Sequence, residues 1–361
     1  MKAAIDASGA ARTEGTGVAA YIAGLAEGLA KIAPRDEFVL YYRFSRVKKP
    51  SLFLKPPGPN FRTAFPPLHL LSARDMDVAH GPDARIFSLG RAARIVTVHD
   101  LFSLVSDKWA NESFRKKKGS RYAEVAGKAD FIICDSLYTA DDFARFFPEA
   151  KERLKIVPLG VGSDFSPVPS EKQAPVLERI GVEKPYILSV GNIAARKNLV
   201  PLVKAFELLA DKHPETSLIL AGRPSYGHEE VVSKIEKSKF KKRIIMTGYL
   251  SSRDLPALYG GAEIFALPSL YEGFGLPVLE ACACGTPVVA SKSSSIPEVL
   301  GDAGTLINTG SPAEMADAMD ALLGDETLRA KLSAAGIERA GNFTWERTAR
   351  ETLEVYREAA G

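Results

Sequence analysis

Short apolar runs alternate along the chain with segments in which apolar side chains recur every three or four residues. Such runs predict buried β-strands, and the recurring spacing predicts amphipathic helices. A strand is predicted at residues 2–7, a polar loop at 8–16 and a helix at 18–32. The alternation continues along the chain, and strands that alternate with helices favour a parallel sheet wound on both faces.

The predicted elements fall into two series, before and after residues 160–175. In the first series, further strands are predicted at 38–42, 77–80, 94–99, 131–134 and 154–158, with a helix through 123–128 and an irregular segment at 48–67. In the second series, strands are predicted at 186–191, 217–222, 243–247, 262–267, 286–290 and 305–307. Helices are predicted at 199–210, 228–237, 254–260 and 278–283, twice within 312–340, and at 345–360.

Residues 160–175 contain three prolines, two glycines and three serines without a periodic apolar pattern, which is typical of an interdomain linker. The chain has 361 residues, more than one hydrophobic core usually serves. We therefore predict an α/β fold with two doubly wound, Rossmann-like parallel-sheet domains: residues 1–165, joined by the C-terminal helix 345–361, and residues 175–340. Ligands of such sheets bind beyond the carboxyl ends of the strands, so the site is expected in a cleft between the domains.

The stretch 268–281 has the features of an anion-binding turn. It follows a predicted strand, and its two glycines leave the backbone open to close approach by a ligand. Pro277 suits the first turn of a helix, where its missing N–H is not needed. Free N–H groups and the positive end of the helix dipole attract an anion at such a turn. Two carboxylates, Glu272 and Glu280, frame it.

Composition and charge narrow the function classes. Hydrophobic residues make up 46% and charged residues 25% of the chain, as in an ordinary soluble globular protein. The net charge of +3 is too small to indicate a nucleic-acid partner. Two basic runs, 115–118 and 237–243, are expected to be solvated faces, and contact with a membrane surface or an anionic ligand is the competing interpretation.

The three cysteines, Cys134, Cys282 and Cys284, lack the spacing of a zinc site or a C-x-x-C redox pair. Cys282 and Cys284 are expected to pack as small apolar residues, which favours a reducing compartment. Asp6 follows too soon after the first residue for a signal peptide, and no apolar run in the sequence is long enough to span a bilayer. The expected location is the cytoplasm, with peripheral contact at the inner face of the membrane left open.

Four sequence blocks resemble those of the retaining GT-B glycosyltransferases, specifically glycosyltransferase family 4, and the resemblance covers nearly the whole chain. Glu272 and Glu280 match the family's Glu-x7-Glu element, and residues 191–198 match its basic diphosphate-binding segment. Gly15-Thr16-Gly17 matches its N-terminal glycine loop, and residues 96–100 match its Val-x-Val-His-Asp block. The resemblance implies the GT-B architecture and a nucleotide-sugar donor.

The resemblance also implies roles for individual residues. Arg196 and Lys197 would hold the diphosphate as catalytic residues, which agrees with the phosphate chemistry of a guanidinium and an ammonium group. Two further catalytic residues are expected: Glu272 would contact the donor sugar, and His99 would line the acceptor side. Glu280 would hold the ribose hydroxyls. The other residues expected to bind the donor are Gly15, Gly17, Gly191, Arg223, Leu250, Phe274, Gly275 and Leu276.

By this resemblance, the expected function is transfer of a hexosyl group from a nucleotide sugar to a glycan or lipid-linked acceptor, with retention at the anomeric carbon. The donor block looks most like that of mannosyltransferases of surface-polysaccharide assembly, which favours GDP-mannose over a UDP-hexose. Two departures from the family pattern, Asn192 in place of Arg and Ser252 in place of Asp, leave the strength of diphosphate binding and the base open. We expect a front-side mechanism and no metal cofactor, and we assign no catalytic role to Asp75-Met76-Asp77, formally the D-x-D of metal-dependent glycosyltransferases.

Three alternatives stay open. Residues 15–20 formally satisfy the G-x-G-x-x-A fingerprint of a dinucleotide oxidoreductase, but the loop before them is long and the strand at 38–42 ends without a ribose-binding carboxylate. A catalytically silent ligand-binding protein of the same fold is opposed by the presence of Glu280 and Lys197. A sugar-nucleotide epimerase shares the architecture, with a weaker resemblance.

Overall fold

A computed structural model of the chain describes residues 1–11, 15–46, 50–65 and 75–361. The chain divides into two compact units. The first consists of Met1–Leu104, Ser113–Gly160 and Phe343–Gly361, and the second of Val105–Glu112 and Val161–Asn342. Each unit is built on a parallel β-sheet.

Short, mostly buried apolar sequences form the strands, and longer amphipathic sequences form most of the helices. The strands are β1 (Lys2–Asp6), β2 (Glu37–Tyr41), β3 (Phe61–Ala64), β4 (Val78–Gly81), β5 (Ala93–Val98), β6 (Phe131–Cys134), β7 (Leu154–Ile156), β8 (Tyr186–Val190), β9 (Ser217–Ala221), β10 (Ile244–Gly248), β11 (Ile264–Leu267), β12 (Val288–Ser291) and β13 (Thr305–Ile307). The helices are α1 (Gly17–Ile32), α2 (Phe102–Val105), α3 (Glu112–Lys128), α4 (Leu137–Phe146), α5 (Ser170–Ile180), α6 (Leu199–Leu209), α7 (His228–Glu236), α8 (Leu255–Gly261), α9 (Leu276–Ala283), α10 (Ile296–Leu300), α11 (Pro312–Gly324), α12 (Glu326–Gly341) and α13 (Trp345–Ala360).

The sheet of the first unit has the strand order β3-β2-β1-β4-β5-β6-β7, and neighbouring strands are parallel. The order reverses between β1 and β4, which is the topological switch point where sheets of this kind bind ligands. Helix α13 packs against α1, and the ion pair between Lys31 Nζ and Glu346 Oε1, at 2.5 Å, joins the two helices. The last helix of the chain therefore belongs to the core of this unit.

The sheet of the second unit has the order β10-β9-β8-β11-β12-β13 and is also parallel. Its strand order reverses between β8 and β11. Buried side chains of the strands and of the helix α6, such as Ile187, Leu220 and Phe206, form a continuous hydrophobic core on one face. The α/β class and the parallel sheets predicted from the sequence are confirmed.

Several segments differ from the sequence prediction. The sequence predicts an irregular segment at 48–67, but this segment contains β3, and β3 pairs with β2 along its length. A strand of four residues is too short to show an alternating pattern, so its pairing with β2 decides its structure. Residues 48, 49, 66 and 67 lie outside the described residues.

The predicted linker, 160–175, is shorter than expected because α5 begins at Ser170 and contains Pro175. The buried side chains of Gln173 and Leu177 stabilise this helix despite the proline. Helix α4 is absent from the sequence prediction, although Ser136 provides a typical start signal: its Oγ accepts a hydrogen bond from the Thr139 N–H at 3.0 Å.

Candidate active site

The loop that joins β11 to α9 lies at the switch point of the second sheet. Gly275 is the N-cap of α9 and has φ = 110°, a left-handed conformation that favours glycine. The helix begins at Leu276, and Pro277 lies in its first turn, where no N–H is needed. Because glycine offers no capping side chain, the start of α9 is suited to binding an anion.

Three consecutive serines after β12 hold this loop in place. Ser294 Oγ accepts a hydrogen bond from the Glu272 N–H at 2.9 Å. Ser295 Oγ donates to the carbonyl oxygens of Glu272 and Phe274 at 2.9 and 2.7 Å, and Phe274 is buried beneath the loop. Sequence reasoning missed these residues, although a run of serines after the neighbouring strand is a usable signal.

Arg196 and Lys197, which we call the basic pair, lie in a 3₁₀ turn that follows β8. Lys197 Nζ is 2.5 Å from Glu272 Oε1, and Arg196 Nη1 is 3.1 Å from Glu272 Oε2. The side chains of Lys197 and Glu272 are buried. Burial alone would raise the pKa of Glu272, but the charges of Lys197 and Arg196 outweigh it and lower this pKa to about 2. Glu272 is therefore ionised at neutral pH, with one oxygen on each basic group.

Backbone contacts join the turn of the basic pair to the loop before α9. Arg196 Nη1 also donates a hydrogen bond to the Tyr271 carbonyl oxygen at 2.9 Å. Asn198 Nδ2 donates to the carbonyl oxygens of Pro268 and Thr309 at 3.2 and 3.0 Å. Because β8 and β11 are neighbours in the sheet, these two loops are fixed against each other at the switch point.

Gly191 follows β8 directly and has φ = 139°. A Cβ atom at this position would lie 3.2 Å from Lys197 Nζ, so glycine leaves space for the lysine side chain. Asn192 comes next, at the position where the sequence departs from the family pattern. The positive charge next to β8 is therefore supplied by the basic pair.

Arg223 lies on the loop after β9, beside the loop of the basic pair. Its carbonyl oxygen accepts a hydrogen bond from the Ile193 N–H at 2.7 Å. Its guanidinium lies over the Tyr249 ring, 4.5 Å from the ring centre, which is a cation–π contact. Leu250 follows Tyr249 and is half-buried. These two predicted donor-binding residues therefore lie next to each other on the loops after β9 and β10.

Glu280 is on α9 and accepts a hydrogen bond from the Tyr259 hydroxyl at 2.8 Å. Burial raises the pKa of Glu280 to about 7, against the lowering effects of this hydrogen bond and of Lys197. Tyr259 is a buried residue of α8 that sequence reasoning missed. No sequence signal marks it, because the two residues meet only when the helices α8 and α9 pack together.

In the first unit, His99 follows the end of β5 and joins the ends of three strands. Its Nδ1 is 2.7 Å from Asp135 Oδ2, and its Nε2 is 2.9 Å from the Pro82 carbonyl oxygen. Both ring nitrogens face acceptors, so both carry protons. Burial lowers the pKa of His99, but Asp135 and the Pro82 carbonyl outweigh it and raise this pKa to about 9. His99 is therefore a cation at neutral pH.

His80 contrasts with His99. It is fully buried, with its ring nitrogens 2.6 Å from the Tyr356 hydroxyl and 2.8 Å from the Thr97 hydroxyl. Burial lowers the pKa of His80 to about 3, so it is neutral. Its contacts join β4 to β5 and α13, which is a structural role.

The two predicted glycines of the first unit lie at the start of α1. Gly17 is the first residue of this helix, and Thr16 is its N-cap, with Oγ1 accepting a hydrogen bond from the Ala19 N–H at 3.2 Å. Gly15 and Gly17 are exposed. The predicted residues thus form two groups: Gly15, Gly17 and His99 in the first unit, and the others in the second unit around the switch point of its sheet.

The described ranges contain no group of three or more His, Cys, Asp or Glu side chains placed to hold a metal ion. Asp77, from the D-x-D sequence, accepts a hydrogen bond from the Lys2 N–H at 2.7 Å through Oδ2. The three cysteines are buried and form no disulfide, and burial raises the pKa of Cys282 and Cys284 to about 12. Along the same residues, no helix has the length and apolar character needed to cross a membrane.

Comparison with known families divides the chain in a similar way. Residues 15–165 match the family model described as Glycosyltransferase Family 4. Residues 172–339 match the model described as Glycosyl transferases group 1.

The O-antigen chain mannosyltransferase B of Escherichia coli is 30% identical over 283 residues, which cover 78% of this chain and 74% of that protein. The serotype-specific mannosyltransferase WbdA of Escherichia coli is 29% identical over 73% of this chain, but the match spans only 33% of WbdA. A D-inositol 3-phosphate glycosyltransferase of Xylanimonas cellulosilytica is 33% identical over 65% of this chain and 58% of its own length.

Solved structures resemble the fold over almost its full length. Sucrose-phosphate synthase from Thermosynechococcus elongatus has a TM-score of 0.78 at 22% identity, covering 99% of this chain and 98% of that one. Anabaena HepE in complex with UDP-glucose has a TM-score of 0.77 at 17% identity, covering 99% of both chains. At these identities the likeness concerns the fold alone.

Proposed function

The chain belongs to glycosyltransferase family 4 and is a glycosyltransferase of the GT-B fold, and from this premise we propose that it transfers a mannosyl group from GDP-mannose to a glycan or lipid-linked acceptor, with retention at the anomeric carbon. The observation that carries the proposal is the arrangement of Arg196, Lys197 and Glu272 beside the start of α9. These groups lie at the switch point of a parallel sheet, where a nucleotide is expected to bind.

The leaving group of this reaction is a nucleoside diphosphate, whose negative charge increases as the glycosidic bond breaks. The basic pair and the N–H groups at the start of α9 would stabilise that charge. The pair is fixed by Glu272 in the ligand-free protein, so little reorganisation is needed during the reaction. Arg223, beside the same loops, is a further contact for the donor.

We assign Glu280 to the ribose hydroxyls, which would donate hydrogen bonds to its carboxylate. Because its pKa is about 7, both forms of this group are present at neutral pH. The ribose hydroxyls would favour the ionised form, because hydrogen bonds to a charged acceptor are stronger. Glu272 is ionised and engaged by two cations, and this weakens it as a nucleophile or a base. A front-side mechanism, in which the departing phosphate takes the acceptor proton, is compatible with that charge state and requires no metal ion.

The choice of GDP-mannose is supported by the mannosyltransferases among the relatives. A UDP-hexose is the second candidate, because the similar structure of HepE was solved with UDP-glucose. We place the protein in the cytoplasm. The partly exposed basic run 115–118 on α3 is the candidate for peripheral contact with the inner face of the membrane.

A thermal-shift panel of GDP, GDP-mannose, UDP and UDP-glucose tests the donor. A ligand at about one hundred times its dissociation constant stabilises a protein by roughly 2.7 kcal/mol. We expect the largest increase in melting temperature with GDP-mannose, and a smaller increase in the Lys197→Ala variant. Lys237→Ala, which changes an exposed lysine of the same unit, is the matched control. A larger shift with UDP-glucose would identify UDP-glucose as the donor in place of GDP-mannose. No shift with any nucleotide would contradict the proposed function.

NMR of the glycoside formed then tests the stereochemistry. Retention requires the anomeric configuration of the product to equal that of the donor. An inverted product would contradict the retaining mechanism and leave the donor assignment unaffected.

A further inference from the structure

A polar cavity of about 210 Å³ lies in the first unit, and none of its lining residues is assigned to the donor. Its wall is formed at the carboxyl ends of three adjacent strands, by Asp6 of β1, Gly81 of β4 and Arg43 just after β2. The strand order reverses between β1 and β4, so the cavity is at the topological switch point of this sheet. A ligand is expected to bind at this position in a doubly wound sheet.

Three arginines, Arg43, Arg46 and Arg85, line the cavity together with two aspartates, Asp6 and Asp83. Both aspartates are already engaged. Asp6 forms an ion pair with Arg43, and Asp83 Oδ1 is 3.8 Å from Lys118 Nζ. The two remaining guanidinium groups, of Arg46 and Arg85, have no carboxylate within ion-pair distance among the described residues.

Further positive charge lies beside Arg85. Burial and the nearness of Arg121 and Arg43 lower the pKa of Arg85 below its ordinary value, against the opposing effect of Asp83 and Asp6. The field at Arg85 is therefore net positive even with the aspartates present. Half-buried guanidinium groups that line one cavity without a carboxylate partner are stabilised when an anion binds between them.

The cavity adjoins the histidine that the family resemblance places on the acceptor side. Pro82 lines the cavity, and its carbonyl oxygen accepts the hydrogen bond from His99 Nε2 at 2.9 Å. An anion in the cavity would thus lie close to the residues expected on the acceptor side.

We propose that this cavity binds a phosphate group of the acceptor, held by Arg46 and Arg85. A phosphate ester offers several oxygens to two guanidinium forks, which is the geometry that arginine recognises best. The phosphate is carried either by a lipid-linked diphosphate or by a phosphorylated glycan without lipid. That the phosphate belongs to the acceptor rests on the proposed function. The binding of phosphate to the cavity does not depend on that function.

Calorimetry with inorganic pyrophosphate measures the binding directly. The donor site is first saturated with the nucleoside diphosphate that stabilises the protein most. If no nucleoside diphosphate stabilises the protein, all titrations use proteins that carry Lys197→Ala. We expect the pyrophosphate affinity to fall roughly tenfold or more in Arg46→Gln and in Arg85→Gln, since each loses a charged hydrogen bond. Arg91→Gln, at an exposed arginine of the same unit outside the cavity, is expected to keep the affinity of the unchanged protein.

Two variants are used so that a folding defect in one, detected by its thermal melt, leaves the other informative. Equal affinity in Arg46→Gln, Arg85→Gln and Arg91→Gln would overturn the proposal. Complete loss of pyrophosphate binding on addition of the nucleoside diphosphate would also overturn it, because the cavity would then belong to the donor.

Steady-state kinetics identifies the source of the phosphate. Three acceptors are compared: a lipid-linked glycan diphosphate, the same glycan as a lipid-free phosphate ester, and the glycan without phosphate. We expect Arg46→Gln and Arg85→Gln to raise the acceptor KM roughly tenfold for phosphate-bearing acceptors, with the donor KM unchanged. An equal KM for phosphorylated and unphosphorylated acceptors in the unchanged enzyme would overturn the proposal. If no donor is turned over while pyrophosphate binding still falls in the arginine variants, the proposed function fails and the cavity assignment stands.

Discussion

At the scale of single residues, the proposed donor site combines two cations with one buried carboxylate. Glu272 occupies both members of the basic pair, so an incoming diphosphate must share Arg196 and Lys197 with a carboxylate. Removing one partner of a buried ion pair leaves the other uncompensated and costs several kcal/mol. Lys197 is therefore expected to contribute to the stability of the protein in addition to its proposed role in catalysis.

Replacing Lys197 by alanine separates these two contributions. The ammonium group meets more negative charge in the transition state than in the bound substrate, so its loss lowers kcat more than it raises the donor KM. We expect kcat to fall by a few hundredfold, which corresponds to about 3–4 kcal/mol. Arg196→Ala is expected to have the same effect more weakly. Steady-state kinetics measures kcat and the donor KM of each variant, and a thermal melt measures its stability.

The melt of Lys197→Ala is expected to begin at a lower temperature, because Glu272 loses one of the two cations that compensate its buried charge. Lys237→Ala is the control for loss of a lysine charge. A kcat within a factor of a few of the unchanged enzyme, in a folded Lys197→Ala protein, would contradict the role of the basic pair.

Glu280 gives a prediction that depends on pH. Its pKa is raised to about 7, so the ligand-free protein gains stability from the protonated form below the ordinary pKa of 4.5 and loses that contribution as pH rises through 7. Ribose hydroxyls need the ionised form as an acceptor. Nucleotide affinity is therefore expected to weaken as pH falls below about 7.

Glu280→Gln keeps the shape of the side chain and removes the titration. A hydrogen bond to a charged group is worth about 1.5–3 kcal/mol, so the dissociation constant of the nucleoside diphosphate should rise about tenfold or more at pH 8. The ratio between the two proteins, measured by calorimetry from pH 6 to 8, cancels the titration of the phosphate itself. A ratio that stays at one would mean that Glu280 is structural.

At the scale of elements, the sequence signals differ in how local they are. The helix start at Ser136 and the glycine-to-proline start of α9 are each encoded by a few adjacent residues, so such signals can be recognised in the sequence alone. Strand β3 depends on pairing with β2, from which it is separated by a long connection. Short elements of this kind are decided by tertiary contacts.

The loop between β11 and α9 depends on an element that follows it. The buried Ser295 hydroxyl donates to the carbonyl oxygens of Glu272 and Phe274, so Ser295→Ala removes a hydrogen bond that both oxygens share. We expect a loss of stability of about 1–3 kcal/mol and a lower kcat, because the loop would no longer be fixed. Thermal melts and kinetics are compared with Ser170→Ala, a change at an exposed serine of the same unit. Normal kcat in the Ser295 variant would show that the loop is held by its other contacts.

The ends of β4, β5 and β6 are joined through His99, which contacts Pro82 and Asp135. Its pKa of about 9 exceeds the ordinary 6.5, so its contribution to stability is complete below pH 6.5 and is lost as pH rises through 9. The difference corresponds to up to about 3 kcal/mol. We expect the melting temperature to fall across this window.

The variant His99→Gln tests the source of that fall. It is expected to melt at a lower temperature at pH 6.5 and to show a flatter dependence between pH 6.5 and 9. An equally steep dependence in the variant would assign the titration to another group.

At the scale of the whole molecule, the class of fold and the main chemical groups can be predicted from the sequence because both follow from local patterns. The residues proposed to bind the donor lie in short motifs that follow strand ends, as with Arg196 and Glu272. The partners of those residues are not found in this way. Tyr259 and Ser295 are brought to the site by packing between elements far apart in the chain, and a single sequence does not record such contacts.

The last prediction for the whole molecule is that transfer needs no divalent metal. A diphosphate leaving group requires positive charge, and the basic pair with the start of α9 supplies it from the protein itself. Across the part of the chain that the structure describes, no group of three His, Cys, Asp or Glu side chains is placed to hold a metal ion. Initial transfer rates are therefore expected to be the same with and without excess EDTA, with a thermal melt in EDTA as the control for stability. Loss of activity in EDTA that manganese restores would contradict this account, and it would assign a catalytic role to Asp75 and Asp77 of the D-x-D sequence.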